Sequence, residues 1–304
     1  MNRLAEELAA RIAGRVLPNE PLKEHTTWRI GGPADLLVEP ASREDLKTIL
    51  RFVREKGLPF TVIGNGSNLL VSDTGVRGVV VKIGERMGAI SVAGLSITAG
   101  AGAKLGRVAA VAQEAGLGGL EFAVGIPATV GGAVTMNAGA NGSTIGDLVE
   151  TVTVVDYAGQ EKVYDRAALA FKYRYSRLQQ LEVIVVEVVL GLTPDDPEAI
   201  RRRSYEYLQK RRRTQPLEYP SAGSVFKNPP DDAAGRLIEL AGAKGLRIGD
   251  AMVSEKHANF IVNLGAAKAS DVLSLIERVR EMVRAKFGIT LELEVKILGD
   301  SGAG

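Results

Sequence analysis

Apolar and polar residues change their period several times along this chain, and each change marks an element. Leu4, Leu8 and Ile12 fall four apart, which is one face of a short helix over 3–13, with Gly14 as its stop. Leu36–Glu39 reads as a strand. Ser42 then opens a helix, with Asp45 in the capping-box position, and Gly57 ends it. Phe60–Ile63, Leu69–Val71 and Gly78–Ile83 read as strands, and the alternation of strand and helix predicts an α/β layer. Ile90–Val92 and Ser96–Ala99 form a hairpin, as do Thr151–Asp156 and Glu161–Tyr164, with a helix over Lys104–Ala115 between the two. Val183–Leu190 is a β-branched strand, and a charged helix, Glu198–Arg213, follows the break at Pro194 and Pro197. From about Thr214 the pattern starts afresh. It has helices at Ala233–Leu240 and Asp271–Phe287, the second with an apolar stripe, and strands at Phe260–Asn263 and Leu291–Leu298.

The chain has 304 residues, enough for two or three domains. With no cysteine, disulfides, Cys-ligated zinc, iron–sulfur clusters and thiol nucleophiles are excluded, and with only His25 and His257 no metal site is expected. Glu6 and Glu7 spoil an N-terminal signal h-region. The most apolar run, Val183–Leu190, contains Glu187 and falls far short of the roughly 20 residues of a membrane span. A cytoplasmic protein without membrane insertion is therefore expected. A net charge of +2 gives little support for nucleic acid as a partner. The runs Arg201-Arg202-Arg203 and Lys210-Arg211-Arg212-Arg213 suit a solvated helix face, with a nucleic-acid patch or a contact to a diphosphate as alternatives.

Two glycine-rich stretches carry the candidate chemistry. Gly64-Asn65-Gly66-Ser67-Asn68 joins two strands. Its glycines let a backbone approach a ligand, and successive N–H groups in such a turn form an anion nest, although the same residues also make a plain hairpin turn. In Gly125-Ile126-Pro127-Ala128-Thr129-Val130-Gly131-Gly132-Ala133, Pro127 and Thr129 predict the start of a short helix. Paired glycines inside that helix cost about 1 kcal/mol each against alanine. They fit close packing against a flat ligand or against another backbone. Neither the Rossmann spacing nor a Walker A pattern is present, so a bound dinucleotide would use another fold.

Ile63–Leu70 resembles the pyrophosphate loop of FAD-binding domains of the vanillyl-alcohol-oxidase/p-cresol-methylhydroxylase (PCMH) type. Gly125–Ala133 with Met136-Asn137-Ala138-Gly139-Ala140 resembles the second flavin loop of the UDP-N-acetylenolpyruvoylglucosamine reductase family. Thr26–Asp35, Tyr173-Arg174-Tyr175-Ser176, Pro220–Pro229, His257–Asn263 and Leu291–Val295 match that family's motifs in order. The resemblance implies an α+β fold: a two-part FAD-binding domain, residues 1–85 and 86–200, plus a C-terminal α/β substrate-binding domain, 201–304, whose last strand returns towards the first part. It implies FAD as cofactor, NADPH as hydride donor in a ping-pong cycle, and an enolpyruvyl UDP-sugar as substrate, in peptidoglycan precursor synthesis.

By the same resemblance the catalytic residues are Arg174, Ser224 and Glu294. Gly64, Asn65, Gly66, Ser67, Asn68, Gly125, Ile126, Pro127, Thr129, Gly131, Gly132, Asn137, Gly139 and Ala140 would hold the cofactor. Tyr173, Lys227 and Asn228 would contact substrate. Leu293 stands where many relatives have proline, and the short break after Leu190 matches the family's shorter, type II branch. Taken without the resemblance, Arg174 fits a surface ion pair, Ser224 a turn and Glu294 a solvated strand face. An oxidase on the same FAD fold and a basic binding module are the competing readings. The first predicts rapid reaction with oxygen, and the second a colourless protein with salt-sensitive affinity for nucleic acid.

Overall fold

In a computed structural model that describes residues 1–299, the first helix, α1 (Asn2–Ala9), ends before Ile12. The reason is Asp45. Its Oδ1 accepts the Ala13 N–H at 3.1 Å and its Oδ2 the Ala41 N–H at 2.9 Å, so Ala13 is drawn out of the helix. Ser42 Oγ accepts the Asp45 N–H at 3.1 Å and starts α2 (Arg43–Glu55). The buried face of α2, from Leu46 to Val53, shares a core with Leu36, Val38, Val79 and Val81 of the neighbouring sheet. That sheet has the order Arg15–Pro21, Pro33–Glu39, Val76–Lys82, Phe60–Ile63, and its last pair runs parallel.

The parts of these elements that lie within residues 1–18, 36–65 and 78–210 belong to one unit. Its second sheet is antiparallel, with the order Glu161–Asp165, Val149–Asp156, Val183–Gly191, Ser96–Gly100, Ile90–Ala93. Both expected hairpins are present. Two helices join the same core, α3 (Leu105–Glu114) and α4 (Val130–Met136). Helix α5 (Pro197–Thr214) follows the break at Pro194, and up to Lys210 it lies in this unit. Arg203 of α5 does not face solvent alone. Its guanidinium bonds buried Glu121 and also Asp195.

The second unit gathers residues 19–35 and 66–77 with the chain from 211 onward. Trp28 is fully buried there and its Nε1 donates to Ile261 O at 2.9 Å. Asn263 Nδ2 donates to Trp28 O at 3.0 Å, while its Oδ1 accepts from Gly265 N and Ala267 N. A three-stranded antiparallel sheet (Arg247–Ile248, Ala251–Val253, Ile261–Asn263) is accompanied by α6 (Ala234–Leu240) and α7 (Ala269–Phe287). The α7 stripe is buried as expected, from Val272 to Val283. The strand expected at Leu291–Leu298 is a ladder only over Lys296–Leu298, parallel to Leu69–Val71. Residues 291–295 instead lie along the segment after Ser224, through a bridge between Phe226 and Leu293. Among the described residues no helix is long and apolar enough to cross a membrane.

Trp28→Phe deletes the donor to Ile261 O and opens a void in this second core. The expected cost is about 2–4 kcal/mol in urea unfolding. A loss below about 0.5 kcal/mol would show that the indole does not hold residues 19–35 to this unit.

Candidate active site

The first unit forms a cleft of about 410 Å³, inside the range of roughly 300–1,000 Å³ common for small-molecule sites. Gly64, Asn65 and Thr129 line it together. Asn65 Nδ2 donates to Pro127 O at 2.7 Å, which ties the two glycine-rich stretches to each other. A methyl group at Gly64 would collide with Thr129 Oγ1, so only glycine permits this approach. Thr129 is the N-cap of α4. Gly131 is explained by packing: its N–H donates to Ala101 O at 2.9 Å, and a methyl there would stand 2.9 Å from Ala101 Cβ. Gly132 has no such neighbour, the nearest atom being Thr129 Oγ1 at 3.5 Å. Gly125 is left-handed, with φ +78°, and Ile126 N donates to Ala123 O.

Further residues of this cleft have no distinctive sequence spacing. Lys82, Gly84, Gly102 and Lys104 line it, along with Arg15 and Arg86. Gly102 lies so close to Gly84 O that a side chain would not fit. Lys82 and Arg15 both pair with Glu39, at 3.3 Å each, and Lys104 pairs with Glu85. Four cations face two carboxylates, which leaves a surplus of positive charge in a glycine-lined cleft. Such a cleft fits a phosphate-bearing cofactor. Gly-x-Gly at 100–102 was the available signal, and it fails the Rossmann spacing.

Arg174 sits in a tight turn of the same unit. Lys172 and Tyr175 exchange backbone bonds, and Arg174 itself is left-handed with φ +53°. The turn is held from several sides. Asn137, 3 % exposed and also left-handed, donates from Nδ2 to Lys172 O at 2.8 Å and accepts the Gly146 N–H at 2.9 Å. Ser176 Oγ donates to Thr135 O at 2.7 Å, and Gln179 Nε2 donates to Arg174 O at 3.2 Å. Arg174 Nη1 donates to Gly139 O at 3.2 Å, so the turn meets the Gly139-Ala140 strand, and the Tyr173 ring centroid is 5.4 Å from the guanidinium carbon.

The second unit assembles the other candidates. Gly66 is buried against His25 O, its own carbonyl accepts the Thr27 N–H, and Ser67 follows in the same loop. Asn68 Nδ2 donates to Glu294 O at 3.0 Å, which joins this loop to the chain's last motif. Glu294 N donates to Val225 O at 2.8 Å and Lys227 N to Glu292 O at 2.8 Å, so Ser224 and Glu294 are carried by paired segments. Ser224 is half-buried. Lys227 Nζ reaches Glu292 Oε2 at 3.4 Å, and Asn228 Oδ1 accepts the Ala234 N–H at 3.0 Å at the start of α6. Burial pushes the His257 imidazole below its ordinary pKa, and its Nδ1 accepts the Asn259 N–H at 3.3 Å. Among the described residues no group of three or more His, Asp or Glu is placed to hold a metal.

The fold and the cleft define an FAD-binding flavoprotein, and residues 34–163 match the FAD-binding-domain family. Residues 215–298 match the C-terminal domain of UDP-N-acetylenolpyruvoylglucosamine reductase. The enzyme of that name from Moorella thermoacetica is 54 % identical over 99 % of both chains. That from Bacillus subtilis is 44 % identical over 98 % of this chain and 99 % of its own. The crystal structure of the Thermus caldophilus reductase superposes with a TM-score of 0.82 at 43 % identity, covering 95 % of this chain and all of the other. The chain belongs to the UDP-N-acetylenolpyruvoylglucosamine reductase family.

Gly64→Ala forces the new methyl onto Thr129 Oγ1 and is expected to lower retained FAD at least about 10-fold, read as flavin absorbance per protein. Adding Thr129→Ala removes the colliding atom and restores part of that loss. A double variant no better than Gly64→Ala alone would contradict this contact.

Proposed function

We propose that this chain reduces UDP-N-acetylglucosamine enolpyruvate to UDP-N-acetylmuramate in the cytoplasm, with NADPH as hydride donor and FAD as the relay. Membership of the family supports the reaction. The observation that carries the residue roles is the pairing of the Ser224 segment with the Glu294 segment through Val225 O. The residues of the Gly64–Thr129 cleft would hold FAD, which when bound would supply two-electron hydride chemistry between the nicotinamide and the substrate's vinyl carbon.

The protein's own task is then charge and protons. Hydride addition to the terminal carbon leaves negative charge on the adjacent carbon, shared with the carboxylate. Arg174 answers that charge, because its planar fork matches a carboxylate and its turn is fixed in advance. Ser224 Oγ–H gives the proton to the carbon. A hydroxyl is a weak acid, and it serves because a carbanion is strongly basic. Glu294 is the third member of the catalytic group. Tyr173, Lys227 and Asn228 contact the substrate.

Gly64, Asn65, Gly66, Ser67, Asn68, Gly125, Ile126, Pro127, Thr129, Gly131, Gly132, Gly139 and Ala140 hold the cofactor. Asn137 serves them by fixing the turn beside Gly139. Functionally the chain divides at 1–85 and 86–200 for FAD and 201–304 for the sugar nucleotide. Arg211 supports a diphosphate contact at the end of α5. It is half-buried, its burial pushes the pKa below the usual guanidinium value, and among the described residues its Nε has no hydrogen-bond partner. An anionic ligand would neutralise such a half-buried cation.

Ser224→Ala is expected to slow the second half-reaction, flavin reoxidation by the enolpyruvyl UDP-sugar, by at least about 100-fold. Flavin reduction by NADPH in the same anaerobic stopped-flow trace should stay within about threefold, well under the effect on proton transfer. Arg174→Lys should lose about 100-fold in the same step. Retained reoxidation in Ser224→Ala would remove Ser224 as the proton donor.

A further inference from the structure

Ser224 is preceded by Gly223, which is left-handed at φ +77° and has open space around it. Its position is therefore set from the other side, by Val225 and Phe226. One residue meets three polar groups there. Asn259 O accepts the Val225 N–H at 2.9 Å, Asn259 Oδ1 accepts the Phe226 N–H at 2.9 Å, and Asn259 Nδ2 donates to Phe226 O at 2.8 Å. Asn259 is 3 % exposed, so its amide works as a strand neighbour inside the core. On the opposite side Val225 O receives Glu294 N.

We infer that Asn259 is a positioning residue for proton delivery in the second half-reaction. This inference rests on Ser224 being the proton donor. When hydride joins the terminal carbon, the electron pair of the double bond passes to the adjacent carbon. The Ser224 O–H bond breaks as a C–H bond forms on that carbon, and the alkoxide recovers a proton from water. That carbon becomes a stereocentre, so the donor's place decides which face is protonated. Aspartate at 259 keeps the acceptor for Phe226 N but sets a second acceptor against Phe226 O. It frees the Ser224 segment to shift, and water then competes for either face of the carbanion.

The test uses the holoenzyme variants Asn259→Asp and Asn259→Ser beside Ser224→Ala. Flavin reduction by NADPH should stay within about threefold, while reoxidation by the enolpyruvyl UDP-sugar slows about 100-fold, the scale of a misplacement of about 1 Å. The lactyl product should contain both epimers at the new stereocentre, where the parent enzyme gives one. The uncharged serine variant carries the test if the aspartate variant does not fold. A single epimer at the parental rate overturns the inference, as does parallel slowing of both half-reactions with one epimer retained. If Ser224→Ala turns over like the parent, the proton-donor assignment falls first. If it stops reoxidation and the Asn259 variants do not, only the positioning role falls.

Discussion

A buried carboxamide has to satisfy an oxygen and a nitrogen at once, since either end left unpaired in a core costs about 1–3 kcal/mol. Three asparagines of this chain are buried under that constraint, each 3 % exposed or less. Asn137 ties Lys172 O to Gly146 N, Asn259 ties both polar groups of Phe226, and Asn263 ties Trp28 O to Gly265 N and Ala267 N. The Asn137–Lys172, Asn259–Phe226 and Asn263–Trp28 bonds each join segments that no helix or sheet ladder joins among the described residues. The loops that carry Arg174 and Ser224 are therefore fixed by core amides as well as by the backbone bonds of Lys172 with Tyr175 and of Val225 with Glu294.

In the proposed reaction this amounts to preorganisation. A reaction that develops charge on a carbon and its carboxylate gains from donors already in place. Arg174 is held in a left-handed turn with its carbonyl bonded by Gln179 and with Lys172 and Tyr175 bonded to each other, a conformation that costs free energy unless its surroundings impose it. In the cleft, glycine serves the same end by another route. Gly64 and Gly102 let backbone and hydroxyl groups come together where a methyl would not fit, and the lysines and arginines around them supply positive charge.

Elements with local signals were legible in the sequence. The Ser42 cap, Phe60–Ile63, both hairpins and the α7 stripe formed where their patterns placed them, because capping and periodicity act within a few residues. The assignment of residues 19–35 and 66–77 to the unit containing the C-terminal chain was not legible. It depends on contacts such as Trp28 to Ile261, 233 residues apart, and these leave no period to read. The 3–13 helix came out short because a distant carboxylate, Asp45, outcompeted it. The motifs identified the family, but they did not reveal that the Asn137 amide is spent on the Lys172 turn. Nor did they reveal that Lys82, Gly84 and Lys104 line the cleft.

In the proposed function one chain carries out two half-reactions through bound FAD. The most direct measurement is an anaerobic visible spectrum of the purified protein, titrated first with NADPH and then with UDP-N-acetylglucosamine enolpyruvate. The expected protein is yellow, bleaches on NADPH, and regains its absorbance when the sugar is added in the absence of oxygen. A flavin that bleaches but stays reduced until air is admitted would contradict the assigned substrate and favour an oxidase on the same fold.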